Sequence, residues 1–573
     1  MHRPRRLARA ASSKSKNEVP MFRILLATAI LAGAGPAFAQ NAPAPIKVAP
    51  APAEPIKDDA FAIVDANADR MGRLSDAIFS YSEIGFQEFK TIKLVTTALS
   101  EAGFKVEAGV AGMPTAYMAK YGSGSPVIGL MSDFDGVPGT SQRPASLAHD
   151  PIVPGGPGHG EGHNTHQPTL IGAAMAMKAI KDKYNLPGTI IVYGGPAEEL
   201  LASRGYMVNA GLFKGVDAIL DVHIGTTMGT GFGLGNLAII SAEWSFKGRS
   251  AHGASAWQGR SALDAVEIMD VSTNFLREHI DPPARLHYVI PNGGQQPNVV
   301  PTDATVWYYF RHNSAQNVWD LFQRARKTAE AAALATDTLV TERILSASWP
   351  FNGNRQLAEL VQSNIELVGM PKWTPADQAF ARAYQTSMGV KVTGLDTEVK
   401  PLREVTQGSS SSDAGDVTWQ APYIRLTIPA KPEGELAGHH WSAGIAPATP
   451  IAHEGIAAAT KVLVASMIDL MTKPAALAEI KTGFARQLAA YPKWKSLIPA
   501  DAEPPIHLNT EEMGKYRAAL APFEYDPGSA KTYLDFLGVA YPPAMPKSAV
   551  GRASNEVTAT PAPAKAPIRA KED

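Results

Sequence analysis

Three apolar runs of strand length, Val127 to Met131, Thr189 to Tyr193 and Ala218 to Val222, each end in acidic or histidine side chains. Helical spacing of apolar residues follows the loops after the first two, over Leu170 to Tyr184 and beyond Glu199. Strands that alternate with helices in this way restrict the chain to an α/β sandwich. In such sheets the loops beyond the carboxyl ends of the strands are where ligand-binding groups gather. The groups offered there are Asp133 and Asp135 after the first run, Glu198 and Glu199 after the second, and His223 at the end of the third. A Gly-rich loop, Pro157 to His166, adds His159, Glu161, His163 and His166 before a helix.

Cysteine is absent, so disulfides, thiolate catalysis and Cys-ligated zinc are excluded, and any metal must be held by His, Asp and Glu. Each piece also has a structural explanation. An acidic pair at a helix start complements the helix dipole, and a histidine at a strand end is often buried and hydrogen-bonded. The coincidence of such groups at consecutive strand ends favours a divalent-metal centre. The 53 basic and 54 acidic side chains nearly cancel. No general field therefore draws the chain to nucleic acid or an anionic membrane, and a small-molecule partner is expected.

The 573-residue chain reads as two domains with tails. Residues 1–39 are expected to be a secretory signal, with an apolar run from Ile24 to Gly35 and an Ala37-Phe38-Ala39 cleavage site, Met21 being an alternative start. That run is shorter than the ~20 residues a bilayer span needs, so export to the periplasm or medium is expected rather than a stable membrane span. An Ala/Pro-rich linker occupies 40–55. Residues 56–236 and 346–472 are expected to form one discontinuous α/β domain. Between them, over 237–345, the pattern changes to an inserted α+β unit. Aromatic residues in 473–547 suggest a packed extension, and 548–573 a disordered tail. The run Ser409 to Ser412 reads as a flexible, Gly-flanked loop without a nucleophile-elbow context.

The order of His159-Gly-Glu-Gly-His-Asn164, Pro196-Ala-Glu-Glu199, a strand-terminal His223, Ser250-Ala-His-Gly253, Pro297-Asn-Val-Val-Pro301 and Gly438-His-His-Trp441 resembles the aminoacylase-like metallopeptidases. These include aminobenzoyl-glutamate hydrolase, hippurate hydrolase and indole-acetyl-amino-acid hydrolases, and the likeness runs from about Arg70 to Met471. It implies a zinc-peptidase-like α/β/α catalytic domain with an inserted lid and dimerisation domain, and a homodimer. It further implies two divalent ions, zinc or manganese with cobalt also suited, on Glu161, His163, Glu199, His223 and a late histidine. The last is His439 or His440, with His439 favoured because the family's ligand usually stands two before the aromatic that Trp441 matches. Glu161 stands where many of these enzymes have cysteine. Asp133 or Asp135 would orient a ligand.

By the same resemblance Glu198 is the general base and acid, taking a proton from the attacking water and returning it to the leaving amine. His252 would stabilise the oxyanion, and Asn298 would help hold substrate. Arg311, after the strand Thr305 to Phe310, has the guanidinium geometry to grip a substrate carboxylate, a solvent-facing edge-strand arginine being the alternative. The expected activity is hydrolysis of an amide in N-acyl amino acids or small peptide-like substrates. A dipeptidase or carboxypeptidase would share every ligand, and a periplasmic metal- or solute-binding protein is the non-catalytic rival.

Overall fold

All seven residues of Gly188–Gly194 are buried, as in a parallel strand covered on both faces. The computed structural model describes residues 55–543. The expected signal over 1–39, the linker up to residue 54 and the 548–573 tail lie outside the described residues.

The first part of the chain runs α1 (Pro55–Ala66), α2 (Ala68–Tyr81), α3 (Phe89–Glu101), β1 (Lys105–Ala108), β2 (Tyr117–Ser123), β3 (Val127–Ser132), α4 (His166–Tyr184), β4 (Gly188–Gly194), α5 (Arg204–Asn209), β5 (Ala218–Gly225) and β6 (Gly231–Leu234). It continues through β7 (Ala238–Lys247), α6 (Ala262–Phe275), β8 (Arg285–Asn292), β9 (Asp303–His312), α7 (Ala315–Thr336) and β10 (Leu339–Ser348). The last part comprises β11 (Asn352–Gly353), α8 (Arg355–Val368), α9 (Pro375–Ser387), β12 (Arg403–Glu404), β13 (Tyr423–Pro429), α10 (Pro450–Thr472), α11 (Pro474–Ala489), α12 (Thr510–Leu520) and α13 (Tyr533–Leu537).

A six-stranded sheet has the order β1-β2-β4-β3-β5-β13. Strands β4, β3, β5 and β13 run parallel, and β2 and β1 pair antiparallel at one edge. The chain moves from β3 to one neighbour, β4, and then to the other, β5, so a crevice opens beyond the end of β3. Side chains alternate between two cores. Ile128 and Leu130 join the face covered by α1 to α4, α8 and α10, whereas Met131, Ile191 and Tyr193 join the face covered by α5. Helix α10 is long and apolar enough to span a membrane, but most of its residues are buried in this core.

A second sheet, β10-β7-β9-β8, is antiparallel throughout. Strand β9 alternates buried and half-buried residues, as expected when helices cover one face only. Val306, Tyr308 and Phe310 pack with Val318 and Phe322 of α7 and Val266 and Met269 of α6, leaving Trp307, Tyr309 and Arg311 on the opposite face. Strand β10 pairs with β7 as far as Ser348, three residues beyond the position expected for the end of this unit. Short strands β1, β6, β11 and β12, helix α1 and strand β10 have no counterpart in the sequence pattern described above. The segment after residue 473 packs: Ile480, Met513, Leu520, Tyr525 and Tyr533 are buried.

Gly455 lets α10 cross close beneath the end of β13. A Cβ there would lie 2.3 Å from the Pro429 carbonyl oxygen. Gly455→Ala is therefore expected to destabilise the protein by about 1–3 kcal/mol, as overpacking against rigid backbone does. Gly514, exposed on α12, serves as the contrast, because a Cβ there would meet nothing within 4 Å. Gly514→Ala should be neutral or stabilising by about 0.5–1 kcal/mol. Thermal unfolding of the two variants checks both signs.

Candidate metal centre

The crevice at the ends of β3, β4 and β5 gathers five side chains from several stretches of chain. Gly162 has φ +77°, a conformation that L side chains rarely adopt, and it doubles the loop back so that Glu161 and His163 face one another. Glu161 Oε2 lies 3.6 Å from His163 Nε2 and 3.8 Å from His223 Nε2. Its other oxygen lies 3.0 Å from His439 Nε2, which is also 3.0 Å from Glu199 Oε2. Two donor sets result, Glu161-His163-His223 and Glu161-Glu199-His439, each with its atoms within 4.8 Å of one another. They share Glu161, one carboxylate oxygen facing each set.

His163 Nε2 and Glu199 Oε1 are buried without a hydrogen-bond partner. Buried lone pairs left unpaired are costly unless something else occupies them. Imidazole and carboxylate donors at these separations fit divalent cations with ligand distances of about 2.0–2.2 Å. The residues present therefore fit the metal that the donor types imply.

Histidines with a structural task are distinguished by how their ring nitrogens are used. His166 lies 2.5 Å from Asp133 through Nδ1 and accepts from the Ile224 N–H through Nε2, so both nitrogens are spent. Asp133 gives its remaining oxygen to Arg204 at 2.8 Å. The Asp133-His163-His166 cluster is thus a hydrogen-bonded support and not a third metal set. His159 donates to the Ile78 carbonyl and stacks on Phe79, and burial lowers its pKa to about 3. His440 turns back to accept from the Ser442 N–H, whereas its neighbour His439, at φ 55°, points into the cluster. Both acids face His163 Nδ1, Asp135 at 3.4 Å and Asp133 at 3.7 Å, so either can hold that ring in orientation.

The turn after β4 is held from beneath. Glu88 accepts the Ala197 N–H at 2.8 Å and Asp135 accepts the Glu199 N–H at 3.0 Å. Ala197 and Leu201 both take left-handed φ values, and α5 does not begin until Arg204. Glu198 and Glu199 therefore sit on a strained turn, where the helix dipole gives no account of them. Glu198 is buried, and its Oε1 accepts from Ser412 Oγ at 2.9 Å. Burial, then the neighbouring carboxylates Asp133 and Asp413, raise its pKa well above the usual range.

This contact corrects the expectation for Ser409 to Ser412. Ser412 is buried, caps the 3-10 segment Asp413–Trp419 and receives a 3.2 Å contact from Arg425. Ser412, Arg204, Asp413 and Glu88 are the functional neighbours that pattern reasoning missed. The local signal for Ser412 and Asp413 was their place at the end of the serine run.

Arg311 lies on the open face of β9, its guanidinium 5.7 Å over the Tyr309 ring. The Tyr309 hydroxyl reaches the Leu200 carbonyl at 3.4 Å, so this face meets the Glu198-Glu199 turn. Arg311 Nε is buried without a partner, and no carboxylate pairs with the guanidinium among the described residues. Burial lowers its pKa, with Tyr309 and Glu198 opposing. His252 and Asn298 are brought to each other but not to the metal ligands. His252 pairs with Val299, the Gly253 N–H donates to the Asn298 carbonyl at 2.7 Å, and both residues are exposed.

Residues 129–476 match the model of the family described as peptidase family M20/M25/M40. The chain is 35% identical over 450 residues to a p-aminobenzoyl-glutamate hydrolase subunit of Escherichia coli (strain K12), covering 74% of this chain and 92% of that one. It is 26% identical over 343 residues to Xaa-Arg dipeptidase of Mus musculus, covering 55% and 75%. The solved structure of an aminobenzoyl-glutamate utilization protein from Klebsiella pneumoniae shares the fold, with a TM-score of 0.50 at 18% identity over 72% of this chain and 98% of that one.

Hydrogen bonds to Glu161 and then Glu199 push His439 up to about 10 in the metal-free cluster. A divalent ion takes only the neutral imidazole, so below about pH 10 it must displace that proton. Metal binding near neutral pH is expected to release one or more protons per chain, and affinity should rise with pH through the neutral range. Calorimetric titration in buffers of different ionisation enthalpy measures the release. Zero exchange would mean that His439 is already neutral.

Proposed function

Because the chain belongs to peptidase family M20/M25/M40 and is a metal-dependent amide hydrolase, we propose that it cleaves N-acyl amino acids of the aminobenzoyl-glutamate type, with a free carboxylate beside the scissile amide. The observation that carries the substrate class is Arg311. A half-buried guanidinium without a carboxylate partner, on the face that meets the Glu198-Glu199 turn, is suited to two parallel hydrogen bonds to a substrate carboxylate. The similarity to the p-aminobenzoyl-glutamate hydrolase of Escherichia coli supports an aromatic acyl group.

We assign two ions, zinc or manganese with cobalt also suited, to the two donor sets that share Glu161. Bound there, the ions would supply Lewis acidity for the amide carbonyl and for the attacking water. Glu198 is not needed as a ligand. Its position beside Glu199 lets it take the water's proton and hand it to the departing nitrogen, and its raised pKa suits a group that must hold a proton between those steps. Ser412 and the strained turn fix its carboxylate, so little reorganisation accompanies the transfer. His252 and Asn298 are proposed to serve the oxyanion and the substrate when brought to the crevice.

Export of the mature chain is part of the proposal, resting on the signal-like segment before residue 40. A homodimer is proposed through the second sheet. Strand β8 is one edge of that sheet, and α6, packed on its β9 and β7 strands, exposes Ile268, Val271 and Phe275, the last at 72%.

Steady-state kinetics on N-acyl amino acids test the chemistry. Glu198→Ala is expected to lower kcat about 10²–10⁴-fold with metal content unchanged. Arg311→Ala should raise KM about tenfold or more for substrates with a free carboxylate and not for their amidated forms. Full turnover by Glu198→Ala would overturn the base assignment. For the assembly, Phe275→Glu is expected to convert a dimer to a monomer in sedimentation velocity. A wild-type monomer would overturn that part.

A further inference from the structure

A cavity of about 540 Å³ lies among the start of α7, the end of β10, the 3-10 segment Asp413–Trp419 and the chain around 491–497. Its size is that of a small-molecule site. It shares no lining residue with the metal centre, Glu198 or Arg311. Three indoles and a phenol face it: Trp319, Trp349, Trp419 and Tyr491. Trp349 and Trp419 meet edge to face with centroids 4.9 Å apart, and Tyr491 stands at 84° to Trp419. Both buried indole N–H groups are already spent, Trp349 on the Lys495 carbonyl and Trp419 on the Pro350 carbonyl, each at 2.8 Å. The rings are thereby fixed in orientation.

An aromatic box by itself serves a cation as well as a second ring. Charge decides between them. No Asp or Glu lines the cavity, while Lys493 and Lys495 do, both exposed and in no ion pair among the described residues. The first turn of α7, which opens onto the same space, carries no acidic side chain. A cationic guest would meet two ammonium groups and no lining acid, since Asp416 of the adjoining 3-10 segment is buried outside the lining and accepts from the Trp349 backbone and Trp494 indole N–H groups. A flat ring with a carboxylate would stack in the box and place its charge at the lysines.

We propose that this cavity is a second binding site, for a small aromatic carboxylate, separate from the metal centre. The site does not depend on the substrate assigned to the metal centre, and it would stand if that assignment failed.

Equilibrium dialysis of radiolabelled benzoate against the metal-loaded full chain tests it. The comparison is with Trp319→Ala and with the double variant Lys493→Ala/Lys495→Ala. The two lysines are exposed, so the double variant is expected to fold, and its thermal melt and metal content verify that. The expected result is saturable binding by the wild type, weakened about tenfold or more in each variant, with no displacement by benzyltrimethylammonium. Equal affinity in all three proteins would overturn the proposal by locating the binding elsewhere. Absence of saturable binding, or displacement by the cation, would overturn it as well.

Discussion

Arg204 is fully buried between Asp133 and Asp413, and the arrangement of the site follows from that ion triad. Removing three charges from water is expensive, and the mutual attraction offsets the cost only where nearly every hydrogen-bonding position is used. Asp413 takes the Arg204 guanidinium, the backbone N–H groups of Ser203 and Arg204 and the Ser203 hydroxyl. Asp133 takes the guanidinium and His166, and His166 accepts from the backbone at Ile224. One network therefore fixes the ends of β3 and β5, the starts of α4 and α5, and the segment that returns after the second sheet. Ser412, one residue before Asp413, is placed against Glu198 as a consequence. Arg425, paired with Asp221 and touching Ser412, extends the same scaffold to β13.

The side chains of the two donor sets behave in the opposite way. Most polar atoms of their supports are paired, Arg204 Nε and Glu88 Oε2 being exceptions, whereas His163 Nε2 and Glu199 Oε1 lie unpaired within the donor sets. A largely bonded frame surrounding a few unpaired donors suits a pre-formed metal site, since donor orientation is settled before an ion arrives. Glu161 fits its position because a carboxylate has two oxygens to divide between two sites. The positive φ values at Ala197, Leu201 and His439 cluster around this point, where backbone strain is tolerated because the surrounding network over-determines it.

Much of this was legible in the sequence, and the reasons for the gaps are physical. Strands β3, β4 and β5 and helix α4 announce themselves because each buries a continuous face or stripe that leaves a period in the chain. The ligand types stand beside those periods at strand ends. Strands of two to four residues, such as β6, β11 and β12, are too short to carry a period. Arg204 gave no signal, and Asp413 none beyond its place after the serine run, because charged residues are ordinarily at the surface, and only their pairing across more than two hundred residues makes burial tolerable. The serine run misled for a similar reason. Local composition describes a loop well but says nothing of the one member that reaches a distant carboxylate. His252 and Asn298 match a motif, yet they lie against each other on the surface and not at the ligands.

The closing strand and the covering helices also bear on how such a chain comes into being. The core needs α10, which packs against α1, α2 and α4, and the sheet needs β13 beside β5. Arg517 then reaches back to Glu83 and Gln87, and Tyr525 and Tyr533 pack against α2. Contacts between the first and last parts of a polypeptide cannot form while it is still being synthesised, and such long-range topologies fold slowly. A nascent chain released before residue 412 would carry Glu161, His163, Glu199 and His223 but neither the serine beside Glu198 nor His439. The proposed ligand set is thus complete only once residue 439 has been made, well after the strands that carry its other members.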